Sequence, residues 1–216
     1  MDLISSCSEL LASFIAMELD LNVAEPAIIE ISPEFLETLR GSDAYKNASG
    51  SEGINFGCKY KTGYIELVSN QQISDQLTEC AADIFTFDVF IANPDRRIHK
   101  PNVSTNGEDF LIFDHELAFG FIFDVLQAVR EPWKISEKDM TWIKQHYFFN
   151  YLKGNGPDFS KFVEKFSSLD ASFWRQARTL IPNEWITDRL DRIETRLCSF
   201  VDHRQEFKDE LNRILL

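Results

Sequence analysis

The chain has 216 residues, of which 22 are Lys or Arg and 35 are Asp or Glu, so its formal net charge is −13. With 44% hydrophobic residues it has enough apolar side chains for a packed core, which excludes a disordered or fibrous protein. The acidic charge repels phosphate backbones and anionic lipid headgroups, so neither nucleic acid nor a membrane surface is an expected partner.

The N-terminal part is expected to form a helix followed by a strand. Ser6 and Glu9 have the spacing of a capping box, and apolar residues recur after them at helical intervals. A short strand over 26–31 and a short helix over 34–39 should follow. Glycine and serine are frequent in 41–57, which predicts a mobile loop.

The middle of the chain predicts a helix, a polar loop and a hairpin. The helix should run over 74–90 and end before Pro94, because the residue before a proline is disfavoured in the helical region. The polar loop covers 93–102. Asn106 and Gly107 are typical of a hairpin turn, and the strand that follows should end at Asp114.

The C-terminal part is predicted to be helical, with a last helix over 185–216. Helical segments are expected to begin near Ser136, Pro157, Asp170 and Pro182. A boundary near 129–134 would separate an N-terminal core, residues 1–130, from a helical subdomain, residues 131–216. No apolar stretch approaches the ~20 residues of a membrane span. The four scattered cysteines and the N-terminus without a secretory pattern predict a cytoplasmic protein with reduced thiols.

Three polar residues around the loop suggest phosphoryl transfer. Asp95 follows the helix on a tight loop, Asn102 comes seven residues later, and Asp114 ends the next strand. Such a reaction needs one carboxylate to orient the attacking hydroxyl and oxygen ligands for Mg²⁺. Structural alternatives remain open: Asp95 as a turn cap, Asn102 as an ordinary loop residue, and Asp114 as the N-cap of a helix over 116–121.

These residues occur in motifs by which the chain resembles the HipA-like kinases. The main matches are Asn93-Pro94-Asp95-Arg96-Arg97, Pro101-Asn102 and Ile112-Phe113-Asp114-His115, supported by 53–57, the opening helix leading into 26–31, and 181–185. The resemblance implies an α+β fold: a kinase-like lower lobe with a partial hinge and upper lobe, and a helical C-terminal bundle. It also implies Asp95 as the catalytic aspartate, Asn102 and Asp114 as Mg²⁺ ligands, ATP as phosphate donor, and a protein substrate.

The resemblance extends to the nucleotide site. Ile29 and Ile31 occupy the hinge position and are expected to contact adenine. Glu9 matches the glutamate that pairs with a phosphate-binding lysine, although it also fits a capping role. Lys59, or alternatively Lys61, follows the glycine-containing segment and is a candidate for contacting the phosphates.

Three further residues are candidates for substrate or loop roles. Gly53 and Gly57 delimit a segment that either lies near the phosphates or is a plain surface connection. Arg96 either contacts phosphate or pairs with a carboxylate such as Asp88.

The sequence departs from the family pattern in two ways. A β-rich lobe with a glycine-rich turn and a lysine usually precedes the opening helix, whereas this sequence begins almost at that helix. Lys100 stands where related members often have Asn, and a charged lysine cannot bind Mg²⁺.

Three interpretations follow: a second polypeptide supplies the upper lobe, Lys59 or Lys61 replaces its lysine, or the chain is a weak or inactive kinase. The function is therefore either that of a toxin-like, ATP-dependent Ser/Thr-type kinase or that of a non-catalytic interaction module.

Overall fold

A computed structural model describes residues 3–69, 71–123 and 131–216. Its α-helices are α1 (Leu3–Glu18), α2 (Pro33–Leu39), α3 (Asp43–Ala48), α4 (Thr78–Phe90), α5 (Glu137–Ile143), α6 (Phe149–Leu152), α7 (Ser160–Lys165), α8 (Ala171–Leu180), α9 (Asp188–Asp202) and α10 (Arg204–Leu215). Its strands are β1 (Pro26–Ile31), β2 (Gly53–Cys58), β3 (Ile65–Glu66), β4 (Val103–Thr105) and β5 (Phe110–Ile112). Short 3-10 turns lie at Ser49–Ser51, Asp75–Leu77, Gly120–Phe123, Phe166–Ser168 and Asn183–Trp185. The expected mixture of helices and small sheets is confirmed. Among the described residues, no helix has the length and apolarity to cross a membrane.

Strands β1 and β2 form a separate two-stranded antiparallel sheet, called the β1–β2 sheet below. Pro26 lies opposite Cys58, and Ile31 lies opposite Gly53. The predicted loop over 41–57 is therefore wrong, because the segment contains α3 and β2. The glycine and serine residues indicate only the local conformational preference of the segment. Strand β2 forms because it pairs with β1, a contact that local composition does not reveal.

The second sheet joins β3, β4 and β5 in antiparallel order. Val103 lies opposite Ile112, and the predicted turn at Asn106 and Gly107 connects β4 to β5, with Gly107 at a φ of 90°. The residues before β1 extend this sheet, because Val23 forms a parallel bridge with Ile112. This bridge attaches the chain leading into β1 to the strand that ends before Asp114.

Two local helix predictions fail and one succeeds. Ser6 lies inside α1 and is buried, so the predicted capping box is wrong. The predicted last helix over 185–216 is also wrong, since His203 adopts a non-helical conformation between α9 and α10. In contrast, the helix predicted over 34–39 forms as α2, which begins one residue earlier at Pro33, and the Ser32 hydroxyl accepts a hydrogen bond from the Phe35 amide at 3.2 Å.

A core of aromatic side chains connects α4 with the C-terminal helices. The ring of Phe90 stacks on Phe166 with centroids 4.2 Å apart and meets Phe200 edge-on at 5.2 Å. Phe207 on α10 packs against Phe200 at 4.9 Å. The loop that follows α4 is therefore built on a rigid helix whose last turn is fixed in the core. Of the predicted domain boundary over 129–134, residues 129 and 130 lie outside the described part of the chain.

Candidate functional site

The loop that carries Asp95 starts where α4 ends. The side-chain amide of Asn93 donates to the Asp88 carboxylate on α4 at 2.8 Å, and its oxygen accepts from the Asp95 amide at 3.2 Å. Asn93 is fully buried, and Asp95 is nearly so. The position of Asp95 is therefore set by the last turn of α4 rather than by solvent-exposed loop contacts.

Arg96 lies in the protein interior beneath the loop. Its guanidinium pairs with Asp88, and both side chains are 0% exposed. It also donates to the carbonyls of Asn102 at 2.5 Å and Phe113 at 3.4 Å. Arg96 thus connects α4 to the backbone before β4 and after β5. Of the two sequence interpretations, the structure shows pairing with Asp88, and in this position Arg96 cannot touch a phosphate.

His146 completes the surroundings of Asp88. Its Nε2 atom lies 3.0 Å from Asp88, and its Nδ1 atom accepts from the Phe148 amide at 3.2 Å. This arrangement requires a neutral ring that carries its proton on Nε2. Burial lowers the pKa of His146, although Asp88 opposes the shift. Burial would raise the pKa of Asp88, but Arg96 and His146 together hold it below its ordinary value.

Asn102 and Asp114 flank the β4–β5 hairpin and approach Asp95. Both have left-handed backbones, with φ of 50° for Asn102 and 60° for Asp114. A non-glycine residue in this region costs conformational energy, and such strain is common at functional sites. The Asn102 carbonyl accepts from the Phe113 amide at 3.3 Å, which holds the two segments together. The Asn102 side-chain nitrogen lies 3.5 Å from Asp95 Oδ2.

Lys100 lies between the two carboxylates. Its Nζ atom is 2.6 Å from Asp95 Oδ2 and 2.9 Å from Asp114 Oδ2. A single cation can therefore contact both acids. The hydrogen bonds to Asp95 and Asp114 raise the pKa of Lys100, so it is charged at neutral pH. Sequence reasoning treated Lys100 only as a residue unable to bind metal; its position between two acids on the same loop and hairpin was the signal that it missed.

Glu9 supports the site from α1. Its carboxylate accepts from the His115 amide at 2.7 Å and is almost completely buried. Arg96 Nη2 lies 3.1 Å from His115 Nε2. Since arginine only donates, His115 Nε2 accepts, and its proton lies on Nδ1. Glu9 thus fixes the backbone immediately after Asp114 through contacts within this chain.

The remaining predicted residues lie on or next to the β1–β2 sheet. The strand register puts Ile29, Ile31, Gly53 and Gly57 on one face, and a Cβ at Gly57 would collide with the Ile29 side chain. Lys59 pairs with Glu25 at 3.1 Å on the surface. The structure thus brings Asp95, Asn102 and Asp114 together around one loop. The residues predicted to contact adenine and the two predicted glycines lie together elsewhere, on the β1–β2 sheet.

The alternative in which Asp114 caps a helix over 116–121 is not observed in the described part of the chain, where turns lead into the 3-10 segment Gly120–Phe123. Over the same residues, no group of three or more His, Cys, Asp and Glu side chains is placed to hold a metal ion. The site offers instead two carboxylates with an amide beside them.

Comparison with known proteins identifies one family. A family model described as HipA-like kinase matches residues 1–214. No curated protein matches the chain, and no solved structure does.

Proposed function

The chain belongs to the HipA-like kinase family, and from this premise we propose that it transfers the γ-phosphoryl group of ATP to a serine or threonine hydroxyl of a protein. The observation that carries this proposal is the convergence of the Asp95 and Asp114 carboxylates on one ammonium nitrogen, with Asn102 beside Asp95. Phosphoryl transfer depends mainly on positioning and charge neutralisation, and these side chains suit both tasks.

Asp95 is the proposed catalytic residue. It orients the substrate hydroxyl and accepts its proton while the hydroxyl oxygen forms a bond to the γ-phosphorus and the bond to ADP breaks. Its backbone is held by Asn93 and its side chain is largely shielded from water. A carboxylate fixed in this way loses little entropy when the substrate arrives.

Asn102 and Asp114 would hold Mg²⁺. This ion prefers oxygen ligands and usually takes only one or two carboxylates from a protein, with water and phosphate completing its shell. One amide and one carboxylate fit that pattern, and the Lys100 ammonium, 2.9 Å from Asp114 Oδ2, already places a positive charge beside this carboxylate. When bound, Mg²⁺ neutralises charge on the phosphate oxygens.

The β1–β2 sheet is the proposed nucleotide surface. Ile29 and Ile31 offer apolar contact to adenine on the face that also carries Gly53 and Gly57. Lys59 forms only an exposed ion pair, which costs little to break, so it is free to reach the phosphates. Glu9 supports this region through the backbone after Asp114, where it accepts from the His115 amide.

A second candidate function is a non-catalytic interaction module. It is favoured by exposed apolar side chains on and near the β1–β2 sheet: Ile28 is 47% exposed, Ile29 46% and Phe35 50%. Apolar surface of this kind suits a partner protein that covers the sheet in the place of an upper lobe. This interpretation predicts no phosphate transfer by the chain with MgATP.

The experiment measures transfer of labelled γ-phosphate from MgATP to a degenerate Ser/Thr peptide library. Asp95→Asn should lower the rate by roughly 10²–10⁴-fold, because it removes the proton acceptor while preserving size. Asp114→Asn should lower it as well. Asp43→Asn is the matched control, since Asp43 is fully exposed on α3. Unchanged transfer in Asp95→Asn would refute the assignment, and absence of transfer by every form would favour the interaction module.

A further inference from the structure

Lys100 occupies the position that a metal ion would need in order to contact both acids of the loop. Its ammonium lies within hydrogen-bond distance of Asp95 and Asp114 at once. A divalent ion bound to Asp114 and an ammonium bound to the same oxygen repel each other strongly at such short range. Binding of one therefore disfavours the other.

The side chain of Lys100 can leave without disturbing the loop. Its backbone is fixed, because Arg97 and Lys100 exchange hydrogen bonds at 3.0 and 3.1 Å. Its side chain, however, is 50% exposed, so that rotation of its four-carbon stem releases the ammonium to solvent. The Asp95 carboxylate is only 9% exposed, and that of Asp114 28%. The ammonium is thus the more mobile partner, while the acids stay largely in place.

We propose that Lys100 is an internal cation that neutralises Asp95 and Asp114 in the metal-free protein and competes with the divalent metal for Asp114. This inference rests on the proposed function, because it assumes that Asp114 binds metal. It assigns Lys100 a positioning role: it holds two like charges together before the metal arrives, and it sets the metal concentration at which the site fills.

The test is a titration with Mn²⁺ alone, followed by electron paramagnetic resonance of the free ion. Lys100→Met removes the charge and keeps the length of the side chain, and it should tighten Mn²⁺ binding by roughly tenfold, equivalent to about 1.4 kcal/mol. Lys161→Met is the matched control. Lys161 pairs with Glu79 at 2.9 Å on the surface. Lys161→Met therefore has the same net charge as Lys100→Met but leaves the site intact, and it should bind Mn²⁺ like the wild type.

Thermal unfolding provides a second measurement that does not depend on activity. In EDTA, Lys100→Met should unfold at a lower temperature than the wild type, since Asp114 loses its cation and Asp95 keeps only Arg97, whose Nη2 atom lies 3.7 Å from Asp95 Oδ1. Saturating Mn²⁺ should raise the unfolding temperature of Lys100→Met more than it raises that of the wild type. Lys100→Arg, which keeps the charge, should stay close to the wild type in both conditions.

The outcomes separate this inference from the proposed function. If Lys100→Met binds Mn²⁺ no more tightly than the wild type, while Asp114→Asn abolishes binding, the competition is refuted and the metal role of Asp114 stands. If Asp114→Asn leaves Mn²⁺ binding unchanged, or if no form binds Mn²⁺, both fail. A tightening shared equally by Lys161→Met would also overturn the inference, because it would reflect net charge alone.

Discussion

The loop over 93–102 and the β1–β2 sheet are built in opposite ways. The loop around Asp95 is held by buried polar contacts, above all the pair between Arg96 and Asp88. The β1–β2 sheet has exposed isoleucines and a surface ion pair at Lys59. The position of the proposed catalytic residue is therefore fixed within this chain, whereas the proposed nucleotide surface leaves apolar side chains uncovered.

The largest expected effect on stability comes from Arg96. Arg96→Met leaves the Asp88 charge buried and unpaired, so the free energy of unfolding should fall by about 3–5 kcal/mol. Lys59→Met removes only an exposed ion pair and should cost less than about 1 kcal/mol. Urea denaturation of both variants measures the contrast. Equal losses in the two would show that the loop is no better fixed than the β1–β2 sheet.

A smaller loss is expected at Glu9. Glu9→Ala leaves the buried amide of His115 without its acceptor, which should cost about 1–3 kcal/mol. Glu9→Gln keeps an acceptor oxygen and should lose less. On the β1–β2 sheet side, Glu25→Ala should stay within about 0.5 kcal/mol of the wild type. Urea midpoints provide the comparison, and a Glu9→Ala value equal to that of Glu25→Ala would contradict the anchoring role of Glu9.

The buried imidazole should make the stability of the loop depend on pH. Burial lowers the pKa of His146 in the folded state, so below its unfolded pKa of about 6.5 the unfolded chain takes up a proton that the folded chain refuses. Stability conferred by this group is therefore lost as pH falls from 7 to 5. Burial raises the pKa of Asp83 to about 6, and this acts in the opposite direction over the same range.

Comparison with a variant isolates the His146 contribution. His146→Gln keeps a donor toward Asp88 but cannot titrate, so its free energy of unfolding should decline less than that of the wild type between pH 7 and pH 5. The contribution of Asp83 cancels in this difference. His99→Gln, at an exposed position, is the control and should follow the wild type. Parallel curves for all three proteins would exclude a role for His146.

The sequence predicts the loop well because its geometry is local. Pro94 follows soon after the end of α4, Asn106 and Gly107 turn the chain, and the segment before Asp114 returns beside Asn102 over a short distance along the chain. Strand β2 escapes prediction because its partner, β1, lies far away in sequence. The hydrogen bonds from Arg96 to the carbonyls of Asn102 and Phe113 also escape prediction from the sequence, because the fold must form before these groups meet.

The C-terminal helices show the same limit. Apolar spacing predicts helix over 185–216, and that pattern continues across His203 without interruption. The chain nevertheless bends there, so that Phe200 and Phe207 pack edge to face.

The predicted roles of Ile29, Ile31 and Lys59 remain predictions, because a nucleotide surface is defined by its ligand.

The most direct test of the central claim is a crystal structure with Mn²⁺ and a non-hydrolysable ATP analogue, examined by anomalous scattering at the manganese edge. The account predicts an anomalous peak within about 2.5 Å of an Asp114 carboxylate oxygen and of the Asn102 amide oxygen, with the γ-phosphate facing Asp95. A nucleotide bound with its metal away from Asn102 and Asp114, or no nucleotide bound at saturating concentration, would contradict it.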